Sequence, residues 1–487
     1  MTMKRRTFLV GSVSGLTLLT VAACTPDSPQ PSPSASPIRS KTPEPAAFVR
    51  TNWAADPFSR GALSYPAVGT AADDREILRR PIDDRLFFAG EHTAETAPAT
   101  VQGARASGRS VAFDVMSIAE PGERIAIVGA GIAGATAARI LVDSGYDVVV
   151  IEGRDRLGGR VSTLNGDDWP FPLELGADVI SALDSAAVLA ELADANIDVV
   201  SFTLSQEHRT VAGEVLEPST VGQDAVAEAL EWAAVQPVDT SLADALLDSG
   251  AANVDASAGA AGVSQVDLLE NYVASDVVVG TGADADELSA WFASIPVLGA
   301  EGDEMVVGDF ESLIVGMIEG ITVLPSSTVS GVTLTDRGVS LRLARGESYS
   351  ADRTIVTVPL GVLQAGAIEF DPPLPFSHRG AIAALGMGHR DKIVMRFDTP
   401  FWSTDASAWS VVDGDTDFPL WINMLPLMGE PILVGLMAGE AAVRLSEFGD
   451  RELMQAALVS LEPFVDPDLV SRSASPSASP SPSSASD

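Results

Sequence analysis

The chain has 487 residues, 46% of them hydrophobic, which is enough for a large buried core in one or two domains. It carries 67 acidic residues against 30 basic ones, and its formal net charge is −37. This balance argues against nucleic acid as a partner, because phosphate binding requires a basic surface. The acidic surface either keeps the protein soluble or attracts cationic ligands.

The cysteine and histidine content argues against a metal site. Cys24 is the only cysteine, which excludes a disulfide within the chain and a cysteine-ligated metal cluster. The four histidines, His92, His208, His378 and His389, are widely separated in the sequence. We therefore expect no metal ion.

The N-terminus has the features of an export signal. Arg5 and Arg6 resemble a twin-arginine motif, and the apolar residues 10–23 are too few for a membrane span. The sequence before Cys24 resembles a bacterial lipobox, in which the signal is removed and the cysteine is lipidated. We expect export by the twin-arginine pathway and a lipid anchor on the outer face of the cytoplasmic membrane. The alternative is an ordinary signal peptide with a chance cysteine.

Two segments are rich in proline and serine. The residues after Cys24, up to about position 47, and the tail from about position 468 contain few apolar side chains. Neither can bury enough apolar surface to fold, so we expect an extended tether and a disordered tail. The folded body is expected between them.

Residues 124–152 follow the order of a dinucleotide-binding βαβ unit. A β-rich run at 124–128 precedes the glycine turn GAGIAG at 129–134, a helical stretch and a second β-rich run at 147–151. The spacing to the acidic residue that follows the second run, Glu152, is about that of a Rossmann fingerprint. This order predicts an α/β fold with a Rossmann-like domain.

Each glycine of this unit has a physical role. Gly129 permits the tight turn, Gly131 lets the backbone approach a pyrophosphate, and Gly134 lets helix and strand pack closely. The helix N-terminus stabilises the phosphates. Glu152 can accept hydrogen bonds from the ribose hydroxyls of the adenosine.

The following residues extend this signal. Arg154 and the Gly158-Gly159-Arg160 run place charged forks beside glycines that permit close approach to a diphosphate. With this extension the chain resembles the flavin-containing amine oxidase family, in which such a motif binds FAD rather than NAD.

Leu175-Gly176-Ala177 resembles the family's next motif, where the backbone passes near the isoalloxazine ring. The family usually has an aspartate before this motif and an aromatic residue shortly after it. Here those places hold Glu174 and Asp178, which makes the local environment unusual. Further on, Val329 matches a strand residue whose backbone contacts the adenine end of FAD.

Lys392 lies in a pattern that the family uses at its reaction centre. It is followed at the expected spacing by Phe397 and by Phe401-Trp402. The resemblance implies that Lys392 is catalytic and holds a water molecule against flavin N5. The alternative is a lysine that reaches the surface, because a buried unpaired ammonium is costly.

The family's last segment is found at the front of this chain. Trp53 and the DPFSRGALSY run at 56–65 match its beginning, and Gly90-Glu91 matches the strand end that reaches the flavin. The resemblance implies that Trp53 packs near the flavin; core packing is the alternative. Thr100 and Val101 begin the helix expected to point at flavin N1 and C2=O, where its positive end favours the reduced anionic flavin. The swapped order indicates a circular permutation. A second possibility is that this segment completes a neighbouring chain's site by domain swapping.

The resemblance implies a Rossmann-like FAD-binding domain of the GR2 type and a second α+β substrate-binding domain. The expected segments are an export signal (1–24), a linker (25–47), the permuted flavin-binding segment (48–118), the Rossmann segment (124–178), a mainly helical substrate part (179–300), an FAD-domain part (301–365), a substrate part (366–467) and the tail (468–487).

The same resemblance implies non-covalent FAD, because Ala62 stands where members with covalent FAD carry cysteine. Residues expected in the substrate pocket are Leu63, Tyr65, Thr100 and Trp421, although core packing is an equal alternative for Trp421. The expected reaction is oxidation of a primary or secondary amine by hydride transfer to flavin N5. Dioxygen then gives hydrogen peroxide, and the imine hydrolyses to an aldehyde and ammonia or a smaller amine.

Other functions stay open because the fold alone does not decide between them. An L-amino-acid oxidase requires an arginine for the substrate carboxylate; Arg209 and Arg396 are available, but no motif places them in the pocket. A desaturase of isoprenoids or porphyrinogens is a second alternative. A non-catalytic flavin-binding surface lipoprotein is a third. The oligomeric state is not indicated.

Overall fold

A computed structural model describes residues 40–259, 261–414 and 417–473. The expected export signal, Cys24 and most of the expected tether lie outside these residues, as does the end of the tail. The strands, numbered in chain order, are β1 Ala47–Arg50, β2 Leu63–Pro66, β3 Leu86–Phe88, β4 Arg124–Val128, β5 Asp147–Ile151, β6 Thr163–Leu164, β7 Leu173–Glu174, β8 Val179–Ile180, β9 Val199–Ser201, β10 Gln206–Thr210, β11 Glu304–Val306, β12 Thr322–Leu324, β13 Val329–Thr335, β14 Gly338–Leu343, β15 Ser348–Ala351, β16 Arg353–Val356, β17 Glu369–Asp371, β18 Leu385–Gly388, β19 Arg390–Arg396, β20 Ala408–Val412, β21 Leu420–Asn423 and β22 Ile432–Ala438.

The α-helices are α1 Asp74–Arg79, α2 Val101–Ile118, α3 Ile132–Asp143, α4 Ala186–Asp194, α5 Val221–Ala233, α6 Leu242–Ser249, α7 Gln265–Tyr272, α8 Val279–Thr281, α9 Phe310–Ile318, α10 Leu360–Gln364, α11 Phe376–Ala384, α12 Leu425–Met428, α13 Gly439–Ser446, α14 Asp450–Ser460 and α15 Pro467–Ser473. A π-helical segment, Val273–Val278, joins α7 to α8.

A five-stranded parallel sheet forms the dinucleotide-binding part of the molecule. Its strand order is β12-β5-β4-β16-β3, and all its pairings are parallel. The run RIAIV of β4 and the run DVVVI of β5 are buried from their second residue onward, as expected for strands covered on both faces. This sheet joins the two parts of the chain that carry flavin-site motifs. Strand β3 comes from residues 48–118, which we call the leading segment, and β4 and β5 come from the Rossmann segment.

The leading segment is joined to the rest of the body by each of its strands. β1 pairs with β19, β2 pairs with β18, and β3 pairs with β16. Its long helix α2 packs on α3, and a Cβ atom on Gly108 would lie 2.2 Å from the carbonyl oxygen of Ala133. The glycine therefore allows the two helix backbones to approach closely. Residues 119–123 connect α2 directly to β4.

A six-stranded sheet supports the opposite side of the site. Its order is β1-β19-β22-β21-β20-β10, and its pairings are antiparallel except between β10 and β20. One face packs against α13 and α14 around a buried aromatic cluster that includes Trp402, Trp409 and Phe464. Helices α5 to α7 form a separate apolar cluster with Leu288 and Tyr65. This mixed α/β architecture agrees with the fold class expected from the sequence.

The ordered body is longer at both ends than the sequence indicates. The hydroxyls of Ser40 and Thr42 both donate to the carbonyl oxygen of Leu458, in the last turn of α14. Such carbonyls lack a partner within their own helix, which explains why this part of the expected tether is held. At the other end, α15 begins at Pro467, a residue favoured in the first helical turn, and runs past the expected boundary at 468.

Among the residues that the structure describes, no helix is both long and apolar enough to cross a membrane. Within the same ranges, no group of three or more His, Cys, Asp or Glu side chains is arranged to hold a metal ion.

Candidate active site

A cavity of ≈ 380 Å³ lies between the parallel sheet and the leading segment, within the size range of ligand pockets. Its lining comes both from the leading segment, residues 48–118, and from the Rossmann segment, residues 124–178, which we call the central segment. Most residues expected to bind the cofactor are among its lining, namely Gly90, Glu91, Thr100, Val101, Gly129, Gly131, Glu152, Arg154, Gly159, Arg160, Ala177 and Val329.

The glycine turn after β4 has the geometry of a phosphate cradle. Gly129 has φ +109°, which side chains rarely allow, and a Cβ atom there would lie 2.5 Å from Thr357 Oγ1. A Cβ atom on Gly134 would lie 2.1 Å from the carbonyl oxygen of Gly129, so this glycine packs the turn and lies behind the cavity lining. Gly131, by contrast, lies uncrowded at the N-cap of α3, where a Cβ atom would come no closer than 3.7 Å to any atom outside its neighbours. The start of α3 therefore presents backbone to the cavity.

Glu152 directly follows β5 and is buried at the edge of the cavity. Its Oε2 accepts a hydrogen bond from the Ala130 backbone N–H at 2.8 Å, and its Oε1 accepts one from the Arg154 N–H at 2.8 Å. The carboxylate is thereby fixed against the glycine turn. Each oxygen keeps acceptor capacity for a further donor, such as a ribose hydroxyl.

Arg154 connects the central segment to the leading one. Its Nη2 lies 2.6 Å from Asp56 Oδ2 and 2.8 Å from Ser59 Oγ, and its guanidinium lies over the Phe58 ring at 5.4 Å. The guanidinium is thus held by residues of the DPFS motif at 56–59, which belongs to the leading segment. Arg154 lines the cavity, but its guanidinium is already paired.

Glu91 and Arg160 form a second link between the segments. Arg160 Nη1 donates to Glu91 Oε1 at 3.0 Å and to the Ala62 carbonyl at 2.7 Å. Ser64 Oγ donates to Glu91 Oε2 at 2.6 Å, and the Ala99 N–H donates to the same oxygen at 3.1 Å. Burial alone would raise the pKa of Glu91, but Arg160 and the neighbouring donors outweigh it and hold the pKa at about 2.

The N-terminus of α2 opens into the cavity. Thr100 is its N-cap, and the Thr100 side chain accepts a hydrogen bond from the Gly103 N–H. Thr100 and Val101 both line the cavity. The positive end of an 18-residue helix is therefore available to a negatively charged or electron-rich group there.

Lys392 is buried on β19 and makes direct contacts with the segment that follows β7. Its Nζ donates to Asp178 Oδ2 at 2.7 Å and to the Gly176 carbonyl at 3.0 Å. The lysine side chain is 9% exposed, whereas that of Asp178 is 36% exposed. Lys392 therefore does not reach the surface, and its ammonium lies beside Ala177, a cavity-lining residue. Lys392 itself is not part of the cavity lining.

Glu174, two residues before Gly176, is a buried carboxyl group in the same region. Its Oε1 accepts from Thr163 Oγ1 at 2.6 Å and from the Phe310 N–H at 3.1 Å. Its Oε2 is enclosed and has no hydrogen-bond partner in the described ranges. Burial raises the pKa of Glu174 to about 7, against the opposing effect of these two donors.

Two residues expected to line the substrate pocket lie elsewhere. Trp421 is 1% exposed within the aromatic core, where its indole N–H donates to Ser460 Oγ and its ring covers Gly435. Tyr65 packs in the cluster of α5 to α7, and its hydroxyl donates to Glu287. Core packing therefore explains Trp421, and strand alternation directs Tyr65 away from the cavity.

Leu63 and Trp53, which were also expected near the cofactor or the substrate, are not among the residues that line the cavity. Leu63 is buried, with its Cδ2 atom directly beside the backbone of Gly282. The Trp53 backbone N–H donates to Asp391 Oδ1, which fixes the start of the leading segment against β19. Arg209 pairs with Glu207, and Arg396 donates to the Asp168 carbonyl, so both of these arginines are engaged outside the cavity.

Sequence reasoning missed several residues of the site. The DPFS motif gives no individual role to Asp56 and Ser59, yet both contact the Arg154 guanidinium. Asp178 departs from the family pattern and is the ion-pair partner of Lys392.

The residues present fit a dinucleotide cofactor. A side chain on Gly129 or Gly134 would collide with the turn, and Gly131 leaves the space that a diphosphate requires. A buried acid follows the second strand, and two helix N-termini, those of α2 and α3, meet the same cavity. These features together are compatible with a bound dinucleotide.

Comparison with known proteins agrees with this geometry. The family model described as "Flavin containing amine oxidoreductase" matches residues 32–116 and 132–479. Polyamine oxidase 4 of Oryza sativa subsp. japonica is 28% identical over 360 residues, covering 69% of this chain and 72% of that protein. Lysine-specific histone demethylase 1 homolog 1 of Arabidopsis thaliana is 28% identical over 379 residues, covering 70% of this chain and 42% of that protein.

Solved structures support the fold. A wild-type putrescine oxidase bound to putrescine superposes with a TM-score of 0.54 at 21% identity, covering 71% of this chain and 82% of that one. A double mutant of putrescine oxidase, from a redesign of its cofactor binding, gives a TM-score of 0.55 at 21% identity, covering 72% of this chain and 82% of that one. The prediction of an enzyme of this class is confirmed: the chain belongs to the family of flavin-containing amine oxidoreductases and is an FAD-dependent oxidoreductase.

Proposed function

We propose that this protein is an oxidase of primary or secondary amines that uses dioxygen and releases hydrogen peroxide, an aldehyde and ammonia or a smaller amine. The observation that carries the proposal is the position of a buried lysine, Lys392, beside the wall of a dinucleotide cavity. Relatives named polyamine oxidase add support. When bound, FAD supplies the redox chemistry by accepting a hydride equivalent from the carbon next to the amine nitrogen.

The chain's own residues hold and tune the cofactor. The start of α3 and Glu152 would bind the diphosphate and ribose, and Val329 would contact the adenine end. The positive N-terminus of α2 would stabilise electron density on the flavin ring. Lys392 would orient a water molecule, with Asp178 holding its ammonium group in place.

We propose that FAD is held without a covalent bond. Ala62, whose carbonyl accepts from Arg160, stands where family members with covalent FAD carry a cysteine. Acid denaturation followed by centrifugation is expected to leave all of the yellow colour in the supernatant. Colour retained in the pellet would contradict non-covalent binding.

We also propose that the chain is a circular permutation of the family's usual order. The leading segment supplies the edge strand β3, and the helix α2 leads through residues 119–123 into β4. Permutation is tolerated where new ends lie at surface connections. A variant in which residues 40–118 are moved to follow residue 473 through a flexible linker is expected to bind FAD. Loss of folding in that variant, with the native order stable, would contradict the proposal.

The location of the protein is a proposal from the sequence alone. The twin arginines and Cys24 support export and lipid anchoring. In cells, Cys24→Ser is expected to release the protein from the membrane fraction, and Arg5→Lys with Arg6→Lys is expected to retain it in the cytoplasm. Membrane association unchanged by Cys24→Ser would contradict the anchor.

A peroxide assay tests the proposed activity. The purified yellow protein is incubated with monoamines, polyamines and L-amino acids, and peroxide and aldehyde are measured. At least one amine is expected to give both products. Peroxide from none of these compounds would favour a desaturase or a non-catalytic flavoprotein.

A further inference from the structure

Arg390 shares one face of β19 with Lys392. The strand pairs with β22 in an unbroken register from Arg390 to Arg396, so side chains two residues apart point the same way. Lys392 reaches Asp178 and the Gly176 carbonyl on that face. Arg390 therefore lies on the side of the sheet that faces the candidate active site.

Arg390 is half-buried, and the hydrogen-bonding capacity of its guanidinium is only partly used. Its Nη1 donates to the Val279 carbonyl at 3.2 Å, and its Nε and Nη2 have no hydrogen-bond partner in the part of the chain described. Both atoms keep some solvent-accessible surface. A guanidinium offers two parallel donors that match a carboxylate. A half-buried guanidinium with two unused donors can bind an anion.

The neighbouring charges leave this region positive. Arg390 and Lys392 contribute two positive charges, and Asp178, already bonded to Lys392, contributes one negative charge. Burial lowers the pKa of Arg390, while the charge of Asp178 opposes that effect. Glu174 is the other acid near Lys392. Burial raises its pKa to about 7, so near neutral pH its negative charge offsets the two positive charges only in part. Such a region repels a second ammonium group.

We propose that Arg390 binds the carboxylate of the substrate, so that the preferred substrates are amines that also carry a carboxylate, such as amino acids, rather than polyamines. This inference rests on the proposed amine oxidase function and narrows it. Arg390 is then a specificity-determining residue, since a bidentate pair with a carboxylate rejects analogues that lack one.

Matched substrate pairs test the inference. L-Leucine and its decarboxylated counterpart, 3-methylbutylamine, differ only in the carboxylate, and spermidine represents polyamines. The kcat/KM for L-leucine is expected to exceed that for the other two in the native holoenzyme. Arg390→Gln is expected to lower the L-leucine value by at least about tenfold while leaving 3-methylbutylamine nearly unchanged. Arg345→Gln, which removes an exposed arginine with the same charge change, is the control and is expected to change neither.

A binding measurement makes the test independent of turnover. Calorimetry with 4-methylpentanoate, a carboxylate without an amine, is expected to show binding to the native protein and a loss of at least about tenfold in Arg390→Gln. If that variant does not fold, Arg390→Lys keeps the charge, loses the fork and is expected to weaken binding measurably. Equal binding in the native and substituted proteins, or a preference for spermidine, overturns the inference. Absence of peroxide with every amine, with carboxylate binding intact, instead overturns the proposed function.

Discussion

Glu91 and Arg160 form an ion pair, with 3.0 Å between Oε1 and Nη1, although the two residues are 69 positions apart in the chain. Glu91 belongs to the leading segment and Arg160 to the segment that carries the glycine turn. Both line the same cavity. The two segments therefore close around one site within a single folded body, as the swapped order of the motifs predicts.

Glu91→Gln tests the energetic weight of this pair. Removing one partner of a buried ion pair is expected to lower the free energy of unfolding by roughly 3 kcal/mol at neutral pH, because Arg160 then lacks its counterion. The folded-state pKa of Glu91 is held at about 2, below its ordinary value of 4.5. The stabilisation is therefore present above the unfolded-state pKa and is lost as the pH falls through the folded-state pKa.

Urea unfolding at neutral pH and at about pH 3 measures this difference. The gap in unfolding free energy between the native protein and Glu91→Gln is expected to shrink in acid. Glu76→Gln, which removes one partner of an exposed surface ion pair with Arg80, is the control and is expected to change the free energy of unfolding far less than Glu91→Gln does. A gap that does not change with pH would show that Glu91 is not ionised in the folded protein.

Gly131→Val separates folding from cofactor binding. A Cβ atom at Gly131 meets only the Gly158 carbonyl oxygen, at 3.7 Å, and the φ of Gly131 is −77°, so the empty protein accommodates a side chain. The added methyl groups would point into the space expected for the diphosphate. The melting temperature of the apoprotein is expected to change little, whereas FAD affinity falls by at least about tenfold.

Gly316→Ala is the matched control, because a Cβ atom there meets no atom within 4 Å. It is expected to leave FAD affinity unchanged, as measured by fluorescence titration of the apoprotein. Native-like FAD affinity in Gly131→Val would place the diphosphate elsewhere.

Lys392→Met is expected to slow reoxidation of the reduced protein by oxygen by about tenfold or more, since a fixed positive charge is removed from the site. FAD content is expected to be retained, because the lysine contacts Asp178 and Gly176 rather than the glycine turn. Stopped-flow absorbance after anaerobic reduction measures the rate. Asp178→Asn keeps the lysine and is expected to have a smaller effect; unchanged oxygen kinetics in Lys392→Met would remove its proposed role.

Glu174→Gln tests the buried carboxyl group next to the Lys392 site. The folded-state pKa of Glu174 is raised to about 7 from an ordinary value of 4.5. The folded protein therefore prefers the protonated, neutral form of Glu174. This preference stabilises the folded state fully below the unfolded-state pKa, and the stabilisation is lost as the pH rises through the folded-state pKa. The native protein is expected to lose roughly 3 kcal/mol more than Glu174→Gln between about pH 4 and pH 8.

Urea unfolding across this range, with both proteins in the same buffers, checks the difference. Glu301→Gln, a change at an exposed position, serves as the control and is expected to follow the native curve. Parallel curves for Glu174→Gln and the native protein would show that Glu174 ionises normally.

The sequence predicts the parts of the site that depend on backbone constraints. The glycine turn at 129–134, the acid at Glu152 and the helix start at Thr100 need particular residue types at fixed spacing, and the structure places all of them at one cavity. The mixed α/β fold follows from the buried runs of β4 and β5. These signals are local, so they can be identified without knowing the tertiary structure.

The parts that the sequence does not predict depend on contacts between distant residues. Trp421 belongs to the core because of its packing with Gly435, and Tyr65 turns to Glu287 because of the pairing of β2. The pairing of Lys392 with Asp178 joins residues 214 positions apart. The position of Ser40 depends on its hydrogen bond to the end of α14, far along the chain.

The most direct test of the account is the FAD content of the purified protein. After its cofactor has been removed and FAD has been added back, the native protein is expected to bind one FAD per polypeptide and to turn yellow. This result is expected whether or not the protein forms oligomers. A protein that is colourless as purified and takes up no FAD on reconstitution would contradict the claim that the leading and central segments enclose a flavin.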